Sequence, residues 1–350
     1  METILVLAHT EPDGTVGRPA LEALAAASAL AADLGNAPVV VGFVGLGGAD
    51  VQKAADSIAG CGAARFFGVA GAEFGVARYA TDAAAAEAIA RAAQATLVIA
   101  PATSRWCRTL AGAAARLGGR ADNHVTAITV EGGAVAATRW YYRQRMEAVL
   151  KRTHRPWIIL VDPGCRAPMA PAPGSARVEI VPVELSPTAK RTSVVGIETP
   201  AADQQTIRPD ADLLLVAGAG WCKSQPDGRT HIEEAGKLIQ DFLRLSQASL
   251  GGSKSLVDQS VEGQAVLSFM THMNQVGQTG ATPRHRKGLA TCCHGEEPHV
   301  VGWRFITERR AVNLNAACGW AQGKADVLYV ADAFAVMAKL NALMAVKGGK

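Results

Sequence analysis

The sequence predicts an α/β protein of two domains: an N-terminal one on a parallel sheet, and a C-terminal one of doubly wound, Rossmann-like form. Three observations predict it. Short apolar runs alternate with Ala-rich amphipathic segments, the pattern of strand–helix repeats that build a parallel sheet covered on both faces. A stretch rich in Pro, Ala, Thr and Asp at 162–210 interrupts the alternation, and a fresh apolar strand opens after it. At 350 residues the chain has the length of two domains. The boundary is placed at 200, giving domains 1–200 and 201–350.

Each element has its own signal. Ile4–Ala8 reads as a strand. Pro19 opens a helix that lines up Ala20, Leu24, Ala27, Ala31 and Leu34, and Gly35 closes it. Val39–Val44 and Ala64–Val69 are strands, Asp82–Gln94 is a helix, and Leu97–Ala100 is a strand ended by Pro101. Thr103 or Ser104 caps a helix reaching about Leu117. Strands are expected at Val125–Val130, Val135–Tyr141, Trp157–Val161 and Val178–Val183. The second domain starts with strand Leu213–Ala217 and helix Ile232–Leu245. A loop at 275–280 and a short strand near Leu289 follow, then strands Ala311–Leu314 and Val327–Val330 and a helix at Ala333–Val346.

Composition narrows the function classes. The charge is balanced, with 35 basic and 31 acidic residues and a net +4, and the cations are scattered, which argues against a nucleic-acid partner. No uncharged apolar run reaches the roughly 18 residues of a membrane span, and Met1–Leu7 runs straight into a strand without the basic start of a signal peptide. Seven cysteines form no CxxC pair, which suits reduced thiols in a cytoplasmic protein.

The most informative segment is Gln275-Val276-Gly277-Gln278-Thr279-Gly280. Its glycines let the backbone approach a ligand, and its amides and hydroxyl donate and accept without net charge. That set suits a planar heteroaromatic ring better than a bare phosphate. Gly218-Ala219-Gly220 directly follows a strand, where doubly wound folds take ligands. No GxGxxG follows the first strand, so a conventional nicotinamide-binding half is not expected. Gly251-Gly252-Ser253-Lys254 reads either as a hydroxyl and a cation placed over a ligand or as a helix-to-strand loop with a solvated lysine. Cys292-Cys293-His294-Gly295 lacks a second ligand pair at metal spacing, so no metal site is expected. His299 is a candidate hydrogen-bond donor; Asn313 ends a strand and Asp326 begins one. Trp140–Arg145 mixes aromatics with cations and reads either as a partner-facing surface or as a packed strand edge.

In their order, and in the separation from Gly280 to Gly302, these residues resemble the C-terminal flavin-binding domain of the electron transfer flavoprotein alpha subunit, the FixB family, although the segments before Gly251 and Gln275 are longer than is usual there. The family's GGRG turn, GASR turn, QVGQTG loop, GISGAIQH segment, strand-end Asn and Ala-Asp pair are matched in turn. The counterparts are Ala217–Gly220, Gly251–Lys254, Gln275–Gly280, Cys292–His299, Asn313 and Ala325-Asp326. The first domain is similar more loosely, through Leu97–Pro101 and Gly119–Asn123.

The resemblance implies a redox carrier without substrate chemistry of its own, and an alpha/beta heterodimer holding one FAD. AMP is a further expectation for the partner beta subunit. It implies a flavoprotein dehydrogenase as electron donor and a membrane-associated iron-sulfur quinone reductase as acceptor. The N-terminal domain would pack on the beta subunit. Carried over residue by residue, Thr279 would bond near flavin N5, with Gln275, Val276, Gly277, Gln278 and Gly280 framing the ring and Ser253 assisting. His299 would donate to the O2 edge, where negative charge collects on reduction, while Asn313 and Asp326 would hold the adenosine end.

This chain departs from the pattern at several cofactor positions, and Gly-Ile-Ser-Gly has become Cys292-Cys293-His294-Gly295. The Arg of GGRG is Ala219, the Arg of GASR is Lys254, which loses the planar fork, and the Gln before the family His is Pro298. His294 or Lys223 is expected to supply a replacement donor, with Gly295 keeping the loop close to the ligand. The rival readings are a flavin-free structural or regulatory subunit and an adenine-nucleotide-binding module without redox function.

Overall fold

The computed structural model describes residues 2–141, 146–196, 207–208, 211–259, 266–277, 281, 283–292, 306–318, 321–322 and 325–347. The chain forms two compact units, Met1–Ile197 and Glu198–Lys350.

Unit 1 is a nine-stranded sheet. Its strands are β1 (Ile4–His9), β2 (Val39–Gly45), β3 (Arg65–Ala70), β4 (Leu97–Pro101), β5 (Arg120–Glu131), β6 (Ala134–Tyr141), β7 (Met146–Lys151), β8 (Trp157–Val161) and β9 (Val178–Ile180). They lie in the order β7-β6-β5-β8-β4-β1-β2-β3-β9. From β5 to β9 every pairing is parallel, and β5, β6 and β7 add an antiparallel meander at one edge. Four helices connect the parallel strands: α1 (Arg18–Asp33), α2 (Gly48–Ser57), α3 (Tyr79–Ala92) and α4 (Ser104–Arg116).

Successive side chains of a strand face opposite sides of the sheet, and β1 shows the consequence. Ile4, Val6 and Ala8 join a core with Leu24 and Leu30 of α1 and Ala54 of α2. Leu5 and Leu7 join a second core with Ile89 of α3 and Trp106 and Leu110 of α4. Gly35, at φ +72°, turns the chain out of α1 in a conformation that a side chain would strain. The Thr103 hydroxyl caps α4 by accepting from the Trp106 amide.

The sequence reading placed most of these elements within a few residues of where they lie and missed two. Helix α2 is short, has low mean hydropathy and buries only Val51, Ala54 and Ala55. Strand β7 alternates exposed and half-buried residues without a strong apolar run. The predicted strand Val178–Val183 shortens to Val178–Ile180, because Pro182 has no amide to give a ladder.

Unit 2 carries a five-stranded sheet of β10 (Leu213–Ala217), β11 (Ser249–Gly252), β12 (Lys287–Thr291), β13 (Glu308–Asn313) and β14 (Val327–Val330). All pairings are parallel, in the order β11-β10-β12-β13-β14. That is the doubly wound order 2-1-3-4-5 counted within the unit, with its switch point between β10 and β12. Helices α5 (Ile232–Ser246), α6 (Lys254–Asp258) and α7 (Ala333–Lys347) accompany it. Leu215 and Ala217 pack with α5 and α7 on one face, and Leu214 and Val216 pack with Val276, Ile306 and Ala321 on the other.

Candidate functional site

In an open parallel sheet the ligand side is the edge where the strands end. In unit 2 the described candidate residues gather there in two groups, with one exception.

The first group lies over β10 and β11. Gly218 follows β10 and leads into a tight turn at Ala219–Cys222. The Gly218 amide donates to the Thr291 carbonyl at 2.8 Å, and the Gly220 amide to the Cys292 carbonyl at 3.1 Å. Two amides of this turn are therefore spent on tying the ends of β10 and β12 together. Ala219 is buried. Below the turn, Trp221 is fully buried, donates Nε1 to Thr291 Oγ1 at 2.9 Å and stacks at a tilt on Phe334, with ring centroids 4.6 Å apart.

The predicted loop at Gly251–Lys254 is not a helix-to-strand loop. Ser249–Gly252 is strand β11, and Ser253 starts α6. The glycines serve packing: a Cβ on Gly251 would lie 2.6 Å from Val276 Cγ2, and one on Gly252 would strike the Met270 methyl. Ser253 is completely buried; its amide donates to Ala217 O at 2.9 Å and its hydroxyl caps α6 by accepting from the Leu256 amide at 3.0 Å. Lys254 pairs with Asp258 one turn along α6.

Of the Gln275–Gly280 loop, Gln275, Val276 and Gly277 are described. The Val276 amide donates to Gly252 O at 2.9 Å, which fastens the loop to the end of β11. Gly277, at φ 133°, turns the chain back so that its amide reaches Ala281 O at 3.0 Å. Gln275 and Val276 are buried. Gln278, Thr279, Gly280, His294, Gly295 and His299 lie outside the described residues.

The second group surrounds a cavity of about 360 Å³ over the ends of β12, β13 and β14. Such a volume is at the lower end of ligand pockets, about 300–1,000 Å³. Gly220, Lys223, Gln225, Cys292, Asn313 and Asp332 are among its lining residues. Asn313, the last residue of β13, is buried; its Oδ1 accepts from the Asn315 amide at 2.9 Å and its Nδ2 lies 3.4 Å from Cys318 Sγ. Asp332 caps α7 by accepting from the Phe334 and Ala335 amides at 3.2 and 3.3 Å. Cys292 sits in the left-handed region at φ 56°. Burial, then the nearby Asp332 carboxylate and Cys222, push its thiol up to about 12, so it stays protonated and unreactive at neutral pH. Lys223 is exposed at the rim, and among the described residues no partner holds its ammonium.

Asp326 is the exception, and its assignment beside Asn313 is corrected. It precedes β14 and sits at the opposite edge of the sheet, where its backbone amide donates to Arg309 O. The Arg309 guanidinium at 2.8 Å and the Arg309 amide at 2.6 Å hold its carboxyl below the usual range. The chain has two Ala-Asp pairs after Asn313, and the fold brings the second, Ala331-Asp332, to the cavity. The signal for it was in the sequence: an Asp just before an apolar helical run is a helix-cap signature. Trp221 and Gln225 carried no motif and were missed.

In unit 1, Trp140 and Tyr141 end β6, and Tyr142, Arg143, Gln144 and Arg145 lie outside the described residues. Asp122, next to Asn123 on β5, receives Arg139, Arg152 and the Trp157 indole, which tie the antiparallel meander to the parallel strands. Among the described residues no group of three metal-ligating side chains is found, no helix is long and apolar enough to cross a membrane, and six cysteines are free thiols.

Unit 2 is a doubly wound parallel sheet with a cavity beyond its strand ends, the place where open α/β sheets take ligands. The family model of the electron transfer flavoprotein domain matches residues 4–187, more than half of the chain, and the chain belongs to that family. Family members act in electron transfer together with partner proteins. Comparison with curated proteins gives no match.

Proposed function

We propose that the chain is the alpha-type subunit of an electron transfer flavoprotein and that unit 2 holds FAD at the carboxyl edge of its sheet. The family match ends at 187, so the FAD reading rests on the residues of unit 2. The observation that carries it is the cavity beyond β12, β13 and β14, where Asn313 and Asp332 converge beside an exposed lysine. The donor set fits: an amide and a carboxylate suit a ribose and an adenine, and a rim ammonium suits a phosphate. At about 360 Å³ the cavity suits the adenosine half of the dinucleotide.

FAD supplies the reversible uptake and release of electrons; the protein supplies binding, orientation and exclusion of water. Gln275, Val276 and Gly277 hold the loop against β11, from which Gln278, Thr279 and Gly280 would reach the flavin ring, with His294, Gly295 and His299 on the segment after β12. Thr279 would offer a hydrogen bond near N5 and His299 one at O2, favouring the reduced ring. Lys223 replaces the charge that Ala219 lacks. The partners are a beta subunit, which would carry AMP, a flavoprotein dehydrogenase as donor and an iron-sulfur quinone reductase as acceptor, with the pair working in the cytoplasm.

A flavin-free scaffold is the rival, favoured by the buried, uncharged Ala219 and by the engagement of Lys254 with Asp258. Equilibrium titration of the full chain, alone and with its co-purifying partner, against FAD, FMN and AMP decides between them. FAD bound more tightly than FMN or AMP supports the proposal. AMP bound with no gain from the flavin half points to a nucleotide module, and no binding at all points to the scaffold.

A further inference from the structure

Unit 1 has a ligand-sized cavity of its own that the flavin reading leaves unused. It measures about 550 Å³ and lies beyond the carboxyl ends of β1 and β4. Strands β2 and β3 continue from one side of β1, and β4 and β8 from the other, so the cavity sits at the switch point of the parallel strands.

Ligands at such points are often phosphates, held by helix N-termini. This cavity is built differently. Helix α1 starts at its wall with Gly17 as cap and no side-chain hydrogen bond to it. The Glu11 carboxylate lies beside this helix start: a Cβ on Gly17 would lie 2.6 Å from Glu11 Oε1. An anion of the chain itself thus stands near the helix end where a phosphate would sit.

The positive groups nearby are unavailable. Arg105 is buried and locked to Asp82 through Nε at 2.8 Å and Nη2 at 2.6 Å, with a further bond to Phe74 O at 2.6 Å. Burial and then the Arg105 charge lower the basicity of His9, so its ring is neutral at neutral pH. Glu11 forms no ion pair among the described residues. The remaining wall is apolar, with Pro12, Pro19, Leu46 and Val76, and the Thr10 and Ser104 hydroxyls among the few neutral polar groups.

We propose that this cavity binds a small organic cation, an alkylammonium whose charged head lies at Glu11 and whose hydrocarbon body lies against the proline and aliphatic wall. The apolar wall contributes by burial, and the carboxylate contributes a charge-assisted hydrogen bond that an anionic ligand would turn into repulsion.

The test is calorimetric titration of the full chain with butylammonium, with inorganic phosphate and with neutral 1-butanol. Glu11→Gln, which keeps the shape and removes the charge, and Ala77→Phe, which fills the cavity from a loop, serve as variants, and circular dichroism checks that each is folded. The expected result is saturable butylammonium binding that phosphate does not compete for, weakened about tenfold by Glu11→Gln and abolished by Ala77→Phe, with 1-butanol binding more weakly than the cation. Phosphate binding, absence of butylammonium binding, or unchanged affinity in folded Glu11→Gln overturns the proposal. Each readout is independent of FAD.

Discussion

Asn313 and Asp332 face one cavity from the ends of two neighbouring strands, whereas Asp326, six residues before Asp332, lies at the opposite edge of the same sheet. A parallel strand transports the chain from one edge to the other, so two acidic residues flanking β14 cannot serve the same ligand. This relationship separates the candidates by measurement. Asn313→Ala, which removes a buried hydrogen-bonding group, is expected to weaken FAD binding by about tenfold, and Asp332→Asn, at an exposed carboxylate, by less. Asp326→Ala is expected to leave FAD affinity unchanged. Titration by flavin fluorescence checks all three.

Lys223 stands at the rim of the cavity without a partner among the described residues. Lys223→Ala is expected to lower FAD affinity about tenfold and to leave riboflavin affinity unchanged, because only FAD carries phosphates. The loss should shrink as salt is raised from about 0.01 to 1 M, since an exposed charge is screened over about 3 Å at the upper limit. Equal losses for both ligands would show that the lysine acts on the fold or on the ring instead.

Trp221 fills the space beneath the Gly218–Gly220 turn and bonds Thr291. Trp221→Phe keeps most of the packing and deletes one buried donor, so a loss of about 1 kcal/mol in unfolding free energy is expected. Trp221→Ala adds a cavity, and about 3–5 kcal/mol should be lost. Urea unfolding followed through unit 2 signals measures both. Because the turn is tied to β12 through Thr291, the alanine variant should also weaken FAD binding.

Asp122 contributes to the acid stability of unit 1. Burial alone would raise its pKa, but Arg152, the Trp157 indole and Arg139 outweigh burial and hold it below the ordinary aspartate value. A carboxyl depressed by folding contributes stability that is complete above its unfolded pKa of about 3.9 and is lost as pH falls from there through the folded value. Asp122→Asn leaves two guanidinium groups without their partner and should cost on the order of 3 kcal/mol at neutral pH. Stability measured between about pH 5 and pH 2 should fall less steeply in the variant than in the parent. A parallel pair of curves would show that Asp122 titrates normally.

Much of this was legible in the sequence because the strands are buried on both faces. Runs such as Ile4–Leu7, Leu97–Ala100 and Leu213–Ala217 need no periodicity argument, and the Ala-rich helices between them fix the parallel class. What was not legible follows from weaker signals. Residues Gly251 and Gly252 belong to a strand, although glycine is poor in strands, because Val276 and Met270 pack where their side chains would be. Ser253 looked like a ligand contact and is a helix cap, a role that the same hydroxyl fills in many chains. The choice of Ala325-Asp326 over Ala331-Asp332 was a register error that only the strand between them could expose. The described start of the Gln275 loop is pinned by its own backbone to the end of β11, a contact that no motif announces.

The visible absorption spectrum of the full chain, purified from its native cells so that any partner travels with it, tests the central claim most directly. Flavin bands, with FAD released on denaturation and bound again on refolding, are the predicted result. A colourless protein that takes up no added FAD, with or without its partner, would contradict it.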